Sequence, residues 1–236
     1  MKLPPAAADE LGLRSGSDHP VRLIVLTVTF VLIMLGLQMW PGVSELLRFS
    51  RPDYELGAFW QPVTSQWVHL SRWHAAGNAF AFAAIIFACA FWIRWPLQML
   101  ALAGGYIGVA VVVALDPNCS YYAGASGALH GMLAGNGVGM IWATRSPSRL
   151  AQAPGQTNEL ATRRWSCLLG IAVLNGLAAK LWMQSGFTGA APSAGWSFPV
   201  YYPSHVAGAM GGMGLVLLFS AVQVLLAAKI KPEARQ

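Results

Sequence analysis

Charge is scarce in this chain. Only 10% of its 236 residues are charged, 15 basic and 9 acidic, where soluble domains carry about 25%. That shortage excludes an ordinary soluble domain and, with 56% of residues hydrophobic, points to a membrane protein. Cysteine is nearly missing as well: Cys89, Cys119 and Cys167 are too few and too scattered for a disulfide framework or a metal site. Cys89 and Cys167 fall in apolar runs and read as small buried hydrophobes, while Cys119 lies in a loop without an evident partner. No metal and no cofactor are expected. No cleavable leader is expected either, because residues 1–20 are polar and Pro/Ala-rich and no small-residue cleavage pattern follows the first apolar run.

What is present is a series of apolar stretches. A helix needs about 20 apolar residues to cross the roughly 30 Å hydrocarbon core, and six segments are predicted to do so: Val21–Trp40, Trp73–Ile93, Pro96–Leu115, Ala125–Ala143, Trp165–Met183 and Ser204–Ala228. Turn signals divide them, among them "RWP" at 94–96 and "DPN" at 116–118. Two connections are long: a Trp-rich loop at 41–72 and a hydrophilic one at 145–164.

The net charge of +6 could suggest nucleic acid, but it sorts by membrane side. With the N-terminus inside, Lys2, Arg14, Arg22, Arg94, Arg145, Arg149, Arg163, Arg164, Lys229, Lys231 and Arg235 are cytoplasmic, against Arg48, Arg51 and Arg72 outside. That bias places both termini in the cytoplasm, and no nucleic-acid partner is needed. The expected organisation is a cytoplasmic tail at 1–20, a six-helix membrane domain at 21–228 and a basic cytoplasmic tail at 229–236, all in the inner membrane. The amino end of the fourth span then lies near the outer face.

That end reads "GASGALHG", with Ser126 between Gly124 and Gly127. Glycine recurs at Gly127, Gly131, Gly135 and Gly139, and residues four apart share a helix face. Helices in lipid pair closely through small residues. The sixth span has its own small face at Gly208 and Gly212, starting from His205. The two faces are expected to dock and to bring Ser126 and His205 together at their outer ends. A serine in a membrane helix more often bonds its own backbone, and this is not the elbow of soluble hydrolases, since Ala128 replaces the last glycine. Histidines tip the balance, because ionisable groups at membrane depth are costly and usually functional. His74 and Asn78 of "HLSRWHAAGN" are four apart and can aim donors at one point. His130 is one turn below Ser126 and is a rival to His205 as the base.

Three blocks in this order, "HLSRWHAAGN", "GASGALHG" and "HVAGAMGG", resemble the rhomboid intramembrane serine proteases. The resemblance implies an all-α, polytopic six-span bundle. It also implies a Ser126–His205 dyad without an acidic third member, and an oxyanion site made by the Ser126 N–H with His74 and Asn78. His130, Gly124, Gly127, Gly208 and Gly212 would be accessory. With no carboxylate in the second, fourth or sixth span, packing against the ridge is expected to orient His205. In the family an aromatic commonly stands where this chain has His130 and stacks on the catalytic histidine. A histidine there is similar to the rhombosortase branch, whose substrates carry a C-terminal Gly-Gly motif, a membrane helix and a basic end. Where many rhomboids have Trp-Arg in the first outer loop, this chain has Trp60-Gln61.

The aromatic loop "GFTGAAPSAGWSFPVYYP" at 186–203 suits an interfacial anchor or a lid above the dyad. Asn136, Asn175, Lys180 and Gln184 read as interhelical hydrogen-bonders or snorkelling groups. The function implied is endoproteolysis of a membrane-anchored protein near the outer end of its transmembrane segment, through an acyl-enzyme on Ser126. The alternatives are a non-catalytic rhomboid-like chaperone or adaptor for transmembrane helices, and a small-solute transporter, which would place its polar site at mid-depth.

Overall fold

In the computed structural model, residues 19–143, 159–185 and 200–230 are described. Six long helices form the body. These are α1 (His19–Met39), α5 (Arg72–Ala90), α6 (Trp95–Leu115), α7 (Ser126–Ala143), α8 (Glu159–Gln184) and α9 (Tyr202–Ile230). The loop between α1 and α5 is not featureless: it holds three short helices, α2 (Val43–Leu47), α3 (Arg51–Glu55) and α4 (Gln61–Thr64). It also holds strand β1 (Phe49–Ser50), which pairs antiparallel with β2 (Tyr121–Tyr122), Phe49 facing Tyr122.

All six predicted spans are helices, with ends moved by a few residues. The fifth moved most, from Trp165 back to Glu159. Hydropathy marks only the part of a helix that lipid must cover, and the preceding Glu-Leu-Ala-Thr-Arg-Arg run continues the helix on good propensity. Five of the six are long and apolar enough to cross a membrane; α7 is not among them. It does not need to be, because its neighbours shield it.

Helix α7 occupies the middle. It packs on α6, α8 and α9, while α1 leans on α5. One apolar cluster joins Phe30 and Met34 of α1, Phe82 and Ile86 of α5, Leu102 of α6 and Leu129 and Met132 of α7. The α7–α9 seam is backbone on backbone. A Cβ at Gly208 would overlap the Gly127 carbonyl, and one at Gly212 the Gly131 carbonyl. Helix α6 joins the same seam, since a Cβ at Gly104 would strike the Gly211 carbonyl and one at Gly108 that of Ala207. The expected ridge thus docks at Gly127, Gly131 and Gly135, but Gly139 turns away and meets Ile93 and Leu97 instead. A face repeating every fourth residue slowly rotates around a 3.6-residue helix.

The first long loop is tied to the α6–α7 turn. The Arg51 guanidinium donates to the carbonyls of Val113 (2.7 Å), Ala114 (2.9 Å), Asp116 (2.6 Å) and Cys119 (3.2 Å). It thereby satisfies carbonyls that the last turn of α6 leaves without helical partners. Gln61, in the place where the Trp-Arg arginine is absent, accepts the Ser50 N–H at 3.0 Å. Gln66 donates to the Tyr106 carbonyl at 2.9 Å. Two amides, Gln61 and Gln66, thus add to the hydrogen bonds that Arg51 supplies to this loop. Residues 1–18 of the expected tail at 1–20, 231–236 of the one at 229–236, 145–158 of the hydrophilic loop and 186–199 of the aromatic loop lie outside the described residues.

Candidate active site

The segment leading to Ser126 is fixed by the first long loop. Gly124 has φ +130, a conformation open to glycine but rarely to L side chains. A Cβ there would also stand 2.7 Å from Cε1 of His74. Its N–H donates to the Ser65 carbonyl at 2.9 Å, and its own carbonyl accepts the Tyr122 hydroxyl at 2.8 Å. The next N–H, that of Ala125, donates to His69 Nε2 at 3.4 Å. His69 is buried, and that burial, helped by the neighbouring His74, pushes its pKa down to about 3, so it stays neutral and able to accept. Helix α7 starts at Ser126. Its first N–H groups have no helical acceptor and carry the positive end of the helix dipole.

His205 enters from the first turn of α9 and is only 4% exposed. Its position is set by the glycine seam: Gly127 lies against the Ser204 carbonyl, and Gly208, one turn beyond His205, against the Gly127 carbonyl. With the two backbones that close, Ser126 Oγ and His205 Nε2 are 2.9 Å apart. On the other side of the ring, His205 Nδ1 is 3.0 Å from Gln184 Oε1. An amide oxygen only accepts, so Nδ1 carries the proton and the bare Nε2 accepts the Ser126 hydroxyl. Packing alone does not orient this imidazole, as the lack of a carboxylate suggested; an amide from the fifth span does.

His130 lies face to face with His205, ring centroids 4.1 Å apart and planes inclined by 11°. Its Nδ1–H donates to the Ser126 carbonyl at 2.6 Å. Its Nε2 is 2.6 Å from Lys180 Nζ. Both nitrogens are thus engaged away from Oγ, and His130 is a stacking partner, not a second imidazole on the hydroxyl.

His74 and Asn78 are both buried on α5. The Ser71 hydroxyl caps that helix by accepting the His74 N–H at 3.1 Å. Asn78 Nδ2 is a buried donor with no hydrogen-bond acceptor among the described residues. A donor in that condition is costly unless something is meant to meet it.

Lys180 and Gln184 were legible only as polar residues four apart in an apolar span; that spacing places them on one face and was the signal of a shared task. Arg51 and Tyr122 left no such trace. Asn136 donates to Gln98 at 3.3 Å, and Asn175 bonds the Ile171 carbonyl of its own helix, both away from the histidines.

A family model described as the rhomboid domain matches residues 56–222. No curated protein and no solved structure matches the chain. The matched stretch is well over half of the chain and contains every residue of this site, so the chain belongs to the rhomboid family.

Proposed function

We propose that this rhomboid is an active intramembrane serine endopeptidase, with Ser126 as nucleophile and His205 as general base. Members of the family are typically intramembrane serine proteases that act on membrane-anchored substrates, and the observation that carries the reading here is the 2.9 Å contact between Ser126 Oγ and His205 Nε2. A serine hydroxyl is a poor nucleophile until a base takes its proton, and neutral imidazole suits that task near neutral pH. Oγ attacks the scissile carbonyl carbon as its proton moves to Nε2. The tetrahedral oxyanion is held by the Ser126 N–H at the amino end of α7 and by the side chains of His74 and Asn78, each such donor worth about 10²–10³ in rate. His205 then hands the proton to the departing amine. Water, deprotonated by the same imidazole, hydrolyses the acyl-enzyme and restores Ser126.

The site lies at the end of the bundle where α7 and α9 begin. With the N-terminus cytoplasmic, as the basic residues sort, this is the periplasmic end of a protein in the inner membrane. Cleavage then falls near the outer end of the substrate's transmembrane segment. The histidine at position 130 favours the rhombosortase branch, with substrates whose C-terminal anchor carries a Gly-Gly motif, a membrane helix and a basic tail.

A fluorescent fluorophosphonate, which reacts with activated serines, tests the reading on the purified protein. Wild type is modified and Ser126→Ala is not; His205→Ala reacts about 10²–10⁴ times more slowly, the usual loss when a general base is removed. Labelling or substrate cleavage that persists in Ser126→Ala overturns the assignment of the nucleophile, and a wild type that neither labels nor cleaves leaves a non-catalytic helix-binding rhomboid as the better description.

A further inference from the structure

We infer that the fifth span supplies the third member of the catalytic constellation: Gln184 and Lys180 of α8 form a two-pronged clamp that fixes the tautomers of the stacked imidazoles His205 and His130. The inference rests on the dyad reading above and deepens it.

Four contacts carry it: three fix a direction by the chemistry of the partner, and the fourth, to the Ser126 hydroxyl, follows from them. An ammonium donates and has no lone pair to accept with, so Lys180 Nζ, 2.6 Å from His130 Nε2, meets a bare nitrogen. His130 therefore holds its proton on Nδ1, and that N–H meets the Ser126 carbonyl at 2.6 Å, a pure acceptor. Gln184 Oε1, 3.0 Å from His205 Nδ1, requires a proton on that nitrogen. Nε2 is then left bare for the Ser126 hydroxyl at 2.9 Å. Every link agrees with its neighbours, and the opposite tautomer of either ring would set two donors or two acceptors against each other. Lys180 and Gln184 are four apart and so lie one above the other on the helix. Their Cβ atoms are about 5–6 Å apart, within side-chain reach of two rings stacked 4.1 Å apart. A single turn of α8 can thus hold one imidazole by its outer nitrogen and the next by its inner one.

Gln184 is a positioning residue in this scheme. It touches neither the scissile bond nor Oγ, and acts by keeping the base in the form that can accept a proton. Lys180 does the same one step further back, by holding His130 flat against His205 and bonded to the Ser126 backbone.

The test uses the full-length protein in detergent, with the labelling rate by a fluorescent fluorophosphonate as the readout. Gln184→Met keeps the length and removes the acceptor. It is expected to label about tenfold more slowly, the rate equivalent of one lost neutral hydrogen bond. Gln184→Glu restores an acceptor at the same reach and is expected to recover to within about threefold of wild type, which a space-filling role would not require. Nitrogen-15 spectra of labelled imidazoles are expected to show His205 protonated at Nδ1 in wild type and a mixture of tautomers in Gln184→Met. If Gln184→Met labels at the wild-type rate while Ser126→Ala is silent, the clamp is wrong and the dyad stands. If Ser126→Ala still labels, the dyad itself has failed. Should Gln184→Met not fold, the wild-type spectrum decides, and a His205 protonated at Nε2 overturns the inference.

Discussion

Helix α7 turns none of its large apolar side chains outward among the described residues, whereas its neighbour α8 exposes Trp165, Leu168, Ile171, Trp182 and Met183. Only 17% of the most apolar window of α8 is buried. Helix α7 carries serine, histidine, asparagine and five glycines, yet it is the centre of the bundle. Exposure of large apolar side chains therefore marks the outer helices, and the candidate nucleophile sits on the one that its neighbours cover. The two helices also hold their partners differently. The α7–α9 seam is glycine against carbonyl. Toward α8, α7 makes one such approach, a Cβ at Gly170 falling 2.6 Å from the Gly137 carbonyl, and otherwise relies on side chains, with Leu174, Leu177 and Leu181 filling the contact and the Ser166 hydroxyl donating to the Met140 carbonyl at 2.9 Å.

If the backbone seam sets the active geometry, filling it must be the most damaging small change available. Gly208→Ala puts a methyl group onto the carbonyl of Gly127, the residue after Ser126, and the atoms it meets are all backbone. The helices can only separate. Overpacking of this kind costs about 1–3 kcal/mol, and here the separation also lengthens the Ser126–His205 hydrogen bond. A drop in thermal midpoint with at least tenfold slower fluorophosphonate labelling is expected. Wild-type labelling in Gly208→Ala would show that the seam is incidental to the site.

Arg51 probes the other support of the serine, the loop that anchors the turn before α7. Its four carbonyl acceptors span the end of α6 and the Asp116–Cys119 turn. Arg51→Met keeps much of the stem and removes every donor. Hydrogen bonds to a charged group are worth about 1.5–3 kcal/mol each when buried, but this side chain is only half-buried and water can replace part of the set. A loss of about 2 kcal/mol in thermal or denaturant unfolding is expected. Labelling is expected to slow less than in Gly208→Ala, because α7 and α9 stay docked. Equal losses in the two variants would mean that loop and seam support the serine as one unit.

These contrasts also mark where the sequence was readable. A four-residue glycine repeat beside a histidine-bearing small face contains its own pairing rule, so Gly127 and Gly208 could be matched before any coordinates. The third side of the seam was missed because Gly104 and Gly108 show the four-residue spacing only once, with no histidine or serine beside it to mark the pair. The two-residue strands Phe49–Ser50 and Tyr121–Tyr122 are too short to show alternation, and their partners are some 70 positions apart in the chain. Gln184 is not legible as an orienting group because an amide on a helix without a dyad residue carries no sign of which ring it will face. The tertiary structure alone brings residue 184 to residue 205.

The smallest expected effect is also the sharpest control. Gly176 lies on α8, and a Cβ built there meets nothing within 4 Å. It differs from Gly208 in surroundings and not in residue type. Alanine is favoured over glycine in a helix interior by about 1 kcal/mol in water, and no neighbour opposes it at this position. Gly176→Ala is therefore expected to unfold at or slightly above the wild-type temperature and to label at the wild-type rate. The side of α8 that carries Gly176 makes no close approach, so the result isolates the steric part of the Gly208→Ala loss from any general intolerance of alanine for glycine. If Gly176→Ala were as damaging as Gly208→Ala, close backbone contact would not be what these glycines have in common, and the distinction drawn between the buried and the lipid-facing helix would lose its physical basis.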